Sequence, residues 1–143
     1  MLDNKLMVQR RYYRQIVIRY LSVPIQHEPD TDAEINYVYQ CLGLGDERDD
    51  VGRIVFRALV KAGMRGEGIS SRDLMELSLT SQAAVIYHLN LFQRSGLVTK
   101  DGRNYLLRGG TLGQTLEELE NDMHRKFEHL RGMVKKIEEK GSP

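Results

Sequence analysis

The chain has 143 residues, 41% of them hydrophobic and 29% charged, which excludes a disordered polyelectrolyte and leaves room for one core with appendages. A net charge of +1 excludes a uniformly basic polyanion binder, and the single Cys41 excludes an internal disulfide and a thiol-rich zinc centre. No run approaches the roughly 18 apolar residues of a membrane span and the start, MLDNKLMVQRRYYRQ, has no signal-peptide stretch, so a cytoplasmic protein with no membrane partner is expected.

Breakers divide the chain into an extension over residues 1–49, a middle over 50–110 closed by Gly109-Gly110, and a charged helix over 111–143, with no internal repeat. In the first segment QIVIRYLSV is β-branched enough for a strand. Leu6, Tyr13, Val17 and Tyr20 also fit one face of a helix, the reading preferred here. Lys5, Arg10, Arg11, Arg14 and Arg19 make this stretch basic, and are expected to meet flanking nucleic-acid backbone or the acidic part of the C-terminal helix. After Pro24 and Pro29, Asp30 or Thr31 caps a short helix with Ile35, Val38 and Leu42 on its buried side and Gly43 as its stop.

From Asp50 the periodicity sharpens. Val51, Ile54, Val55, Ala58, Leu59 and Ala62 predict a helix that ends at Gly63. Ser70 stands three residues before Asp73, flanked by the staple pair Ile69 and Leu74, so a second helix runs from there to about Leu77. A tight Ser78-Leu79-Thr80 link leads to a third helix, capped by Thr80 or Ser81, burying Val85, Leu89 and Phe92 and closing at Ser95-Gly96. LVTK-DG-RNYLL then reads as a hairpin turning on Asp101-Gly102.

Beyond Gly110, Thr111 and Gln114 form a capping box, and Leu116, Met123, Leu130 and Ile137 recur every seven residues. Leu112, Leu119 and Met133 occupy the second seam position, Lys126 interrupts it, and Phe127 and Val134 widen the stripe. Such a face needs cover. The simplest partner is a second copy, making Leu112, Leu116, Leu119, Met123, Phe127, Leu130, Val134 and Ile137 the dimerisation set, in a short antiparallel or splayed pair. Folding back onto residues 1–45 is the alternative.

Three helices followed by a hairpin predict a mainly α fold with a small β wing, a winged helix-turn-helix with an N-terminal extension and a long C-terminal helix. TSQAAVIYHLNLFQRSGLVTKDGRNYLL resembles the recognition helix and wing of the ArsR-like winged-helix regulators, in particular the archaeal type with a long C-terminal helix. The likeness lies in His88-Leu89, the spacing to Phe92, and Ser95-Gly96-Leu97-Val98 leading into the wing. It implies base contacts from Ser81, Gln82, Ala83, Ile86 and Tyr87, although Ser78 stands where that family often has a turn glycine.

Helical spacing independently sets residues 82, 86 and 90 on one face with 83 and 87 beside it, away from the buried stripe. On that face Gln82 suits adenine, Ala83 and Ile86 suit thymine methyls, and Tyr87 or Asn90 suits phosphate, with Lys100 and Arg103 on either side of the wing's turn for further phosphates. Residues 50–110 hold nine Lys/Arg against five Asp/Glu, a local excess of +4 within a nearly neutral whole. Double-stranded DNA is therefore the expected partner, and a regulator of transcription acting as a homodimer the expected function. A winged helix that binds proteins is the alternative.

No phosphate loop, GxSxG elbow or HExxH helix is present, so no enzyme and no cofactor are expected. The helix DLMELSL lacks the cysteines of metal-sensing members of the family. Asp122, His124, Glu128 and His129 read as a solvated helix face rather than a metal site.

Overall fold

The computed structural model describes residues 30–45 and 50–141, so the expectations for Leu6 to Tyr20 and for the basic cluster from Lys5 to Arg19 fall outside the described residues. Asp30 opens the first helix: its carboxylate accepts from the backbone N–H groups of Asp32 (3.1 Å) and Ala33 (3.2 Å). Helix α1 spans Thr31–Cys41 and buries Ile35 and Tyr39, with Leu42 and Leu44 following them inward.

Helix α2, Asp50–Met64, turns Val55, Phe56, Leu59, Val60 and Ala62 into the interior. The helix runs one residue past the stop expected at Gly63, and the left-handed residue that closes it is Gly66. The N–H of Gly66 (φ 71°) reaches the Gly63 carbonyl and that of Glu67 reaches Ala62, the paired closing bonds of a helix that ends in a left-handed residue. Gly63 is instead an interior helical residue, required by a close approach to Gly110.

Two residues of strand, β1 (Ile69–Ser70), precede α3 (Ser71–Ser78), and α4 spans Gln82–Arg94. Ser70 caps α3 by accepting from Asp73 N–H (3.1 Å), and Ser81 caps α4 by accepting from Ala84 N–H (3.2 Å). Between them Leu79 takes a left-handed conformation (φ 51°) that glycine ordinarily supplies, with its side chain 92% exposed. Val85, Leu89 and Phe92 of α4 are fully buried, and Gly96 (φ 80°) ends the helix as expected.

Strands β2 (Val98–Asp101) and β3 (Asn104–Leu107) pair antiparallel, Val98 with Leu107 and Asp101 with Asn104. That register makes Gly102-Arg103 the two-residue turn, one position later than expected. Gly102 takes the positive φ (62°) at the first turn position, where a type II′ turn needs glycine. β1 joins the other edge of β3, pairing Ile69 with Tyr105, so the sheet has three antiparallel strands in the order β1-β3-β2. The fold is mainly helical with this small sheet.

The core does not begin at residue 50. Tyr39 of α1 lies tilted against Phe56 at 5.2 Å between ring centres and meets Phe92 edge-on at 6.1 Å, joining the first helix to α2 and α4 through one aromatic cluster. Leu97, Val98, Tyr105 and Leu107 bring the sheet into the same core. Last comes α5, Leu112–Gly141, whose 30 residues extend about 45 Å. No helix among the described residues is long and apolar enough to cross a membrane.

Candidate nucleic-acid interface

Burying Val85, Leu89 and Phe92 leaves the opposite face of α4 to solvent. Gln82, Ala83, Tyr87 and Asn90 are exposed there, and Tyr87 keeps 63% of its surface while its ring edge rests on His88 at 5.2 Å. Ile86 is only half-exposed, since part of it packs on the core. Ser81 is exposed, but its hydroxyl already accepts the Ala84 N–H as the helix cap. The residues expected to meet bases thus divide into the exposed Gln82, Ala83 and Tyr87, with the phosphate candidate Asn90 exposed beside them, and Ser81 and Ile86, both partly committed to the fold.

β2 packs beside α4 and carries the hairpin's basic groups next to that helix. Lys100 lies on β2 opposite Tyr105, its ammonium 5.4 Å from the ring centre. Arg103 sits within the turn rather than beyond it, and both side chains are exposed.

The local charge excess is smaller in space than in sequence. Asp32 of α1 takes up both Lys61 (2.6 Å) and Arg57 (3.6 Å) of α2, and Lys61, hydrogen-bonded to it, holds the Asp32 carboxyl below the usual carboxylate range. Arg53 pairs with Asp50, Arg65 with Glu67 (3.3 Å), and Arg72 with Glu76 (3.8 Å). Arg108 pairs with Glu118 (3.0 Å) and Asp122 (2.6 Å). Lys100 and Arg103 enter no ion pair with another described residue, so within residues 50–110 the hairpin presents two unpaired cations, beside the exposed Asp101.

Arg108 was not among the expected functional residues, although Glu118 and Asp122, four apart on one helix face, were a legible signal for a cationic partner. Its guanidinium, hydrogen-bonded to Asp122, holds the Asp122 carboxyl below its ordinary range, and the same bond shifts the Arg108 guanidinium upward. Thr115, fully buried, donates to the Thr111 carbonyl (2.7 Å) and accepts from Gly109 N–H (2.9 Å). Together with Leu112 and Leu119, half-buried against the core, these groups fix the first turns of α5 on the domain.

Of the expected dimerisation set, Leu112 and Leu119 therefore already pack on their own chain. Leu116, Met123, Phe127, Leu130, Val134 and Ile137 remain exposed, as does Met133. None of residues 30–45 covers them. Further along the helix His124 faces Glu128 (3.5 Å) as an exposed pair one turn apart, and among the described residues no three His, Cys, Asp or Glu come together to hold a metal ion. Comparison with models of protein families, with curated proteins and with solved structures finds no match to this chain.

Proposed function

We propose that this protein is a DNA-binding transcription regulator of the winged helix-turn-helix kind, working in the cytoplasm as a homodimer on double-stranded DNA. In this reading α4 enters the major groove, α3 braces it, and the β2-β3 hairpin is the wing on the flanking backbone. Gln82 reads a base edge, Ala83 and the exposed part of Ile86 touch thymine methyls, Tyr87 and Asn90 reach phosphate or base, and Lys100 and Arg103 neutralise phosphates. Ser81 contributes its cap and the adjacent helix N-terminus. The ArsR-like resemblance is part of the same proposal.

The observation that carries this reading is the face of α4. A helix whose other side is fully buried keeps an unpaired amide pair, Gln82 and Asn90, and an exposed Tyr87 beside a hairpin with the free cations. A second reading, a winged helix that docks on another protein, draws support from the internal pairing of six of the nine cations in residues 50–110.

Selection from a random duplex pool, followed by anisotropy titrations over a salt series, tests the proposal. A recovered sequence whose affinity falls with salt at a slope of roughly −0.9 per phosphate contacted supports it. No binding at low salt would transfer the α4 face to a protein partner.

A further inference from the structure

The stripe on α5 continues past the point where the helix leaves the core, and Leu116, Met123, Phe127, Leu130, Val134 and Ile137 are 38–63% exposed along it. Charge along the same helix is polarised. Between residues 117 and 122 stand Glu117, Glu118, Glu120 and Asp122 with no base, whereas residues 125–136 hold Arg125, Lys126, Arg131, Lys135 and Lys136 against Glu128 alone. We infer that two copies of this chain pair through α5 in the antiparallel direction. The inference gives the proposed regulator its partner and rests on that reading only for its purpose.

Laid antiparallel with Leu116 opposite Ile137, the stripe meets itself. Met123 falls opposite Leu130, and Phe127 lies against the methylenes of the partner's Lys126, which explains how a lysine can stand in the seam. The same register sets Glu117 opposite Lys136, Glu118 opposite Lys135, Asp122 opposite Arg131 and Arg125 opposite Glu128. In a parallel pair each residue would face its own copy, acid against acid and base against base. Glu118 and Asp122 also hold Arg108 in their own chain, so Glu117 and Glu120 are the acids of this stretch that enter no ion pair with another described residue. The pairing begins where the core ends, because Leu112, Thr115 and Leu119 already face inward.

The test uses the full chain without DNA, so its outcome is separate from that of the DNA-binding experiments. Light scattering should show a dimer at tens of micromolar. Spin labels at Glu139→Cys, in a Cys41→Ser background, should lie roughly 40 Å apart if the helices are antiparallel and about 10 Å apart if parallel. Lys136→Glu should weaken the dimer severalfold, and adding Glu117→Lys, its partner in this register, should restore most of that loss while circular dichroism stays unchanged. A monomeric wild type would overturn the inference and leave the stripe to residues 1–29 of the same chain. A short label distance would overturn the direction, and an undiminished dimer after charge reversal would overturn the role of polarity.

Discussion

Gly63, in the last turn of α2, and Gly110, just before α5, meet backbone to backbone: a Cβ placed on Gly63 would fall on the Gly110 carbonyl oxygen, well inside contact distance. Gly109 is equally tight, since a Cβ there would come within 2.7 Å of the Gln114 carbonyl carbon and the Thr115 nitrogen. Both obstacles are backbone and cannot swing aside. Three glycines thereby set how closely the last helix approaches the core.

Gly63→Ala should accordingly destabilise the protein. Alanine favours a helix interior by about 1 kcal/mol, but the clash with the Gly110 carbonyl should exceed that and leave a net loss on the order of 1–3 kcal/mol. Urea denaturation of the two proteins measures it, and an alanine variant as stable as the wild type would contradict the close approach.

Thr115→Val keeps the shape of a fully buried side chain while removing the acceptor for Gly109 N–H. A loss of about 1–3 kcal/mol is expected, with faster hydrogen exchange at Gly109 and at the start of α5. Unchanged exchange there would show that the hydroxyl does not hold the junction.

Acid should loosen α5. The Arg108 guanidinium lowers the Asp122 carboxyl below its ordinary range, so the ion pair's contribution is fully present above the unfolded value, about 3.9, and is lost as pH falls through the lowered folded value. Arg108 stays charged throughout. Thermal melts from pH 6 downward should therefore show stability falling below about pH 4, and Asp122→Asn should be less stable at neutral pH with a shallower acid limb. An identical acid limb in wild type and variant would remove Asp122 from the account.

Leu79→Gly should stabilise. The left-handed conformation costs a side-chain-bearing residue about 1–2 kcal/mol, against which glycine's greater unfolded freedom gives back about 0.5–1 kcal/mol. A gain of up to about 1 kcal/mol is expected in a denaturant titration, since the 92% exposed side chain has little packing to lose. Destabilisation instead would mean that Leu79 packs against residues outside those described.

On DNA, Gln82→Ala should cost about 1–3 kcal/mol at a selected site and little on random duplex, whereas Arg103→Ala should weaken both and lower the salt slope by about one. Equal losses on both duplexes from Gln82→Ala would end its assignment as a base reader.

Helices announce themselves through caps and periodic apolar residues, which is why α2, α3 and α4 and the cap Ser70 were legible, while the structure chose Asp30 over Thr31 and Ser81 over Thr80. What escaped depends on distant partners. Ile69-Ser70 is a strand only because β3 lies beside it, and the hairpin turn moved by one residue because cross-strand pairing of Asp101 with Asn104 settles what the Asp-Gly pair left open. Gly63 looks like a helix stop in sequence, since nothing local reveals that a carbonyl from residue 110 will press against it. The +4 of the middle segment was legible as a count, and the spacing of Glu118 and Asp122 signalled some cationic partner, but that this partner is Arg108, and that Asp32 takes up Lys61, depends on elements brought together only by the fold. On the candidate site, the outward face of α4 could be read from spacing. The partial burial of Ile86 and the commitment of Ser81 to capping required the packed structure.

Arg108 follows directly on β3, its backbone N–H continues the hairpin to the Leu97 carbonyl (2.9 Å), and its side chain grips two acids of α5. The hairpin and the base of the long helix are therefore splinted by one residue. Besides the apolar contacts of Leu112 and Leu119, the hairpin and the long helix share this attachment point, and removing the Arg108 side chain would release both acids of α5 at once.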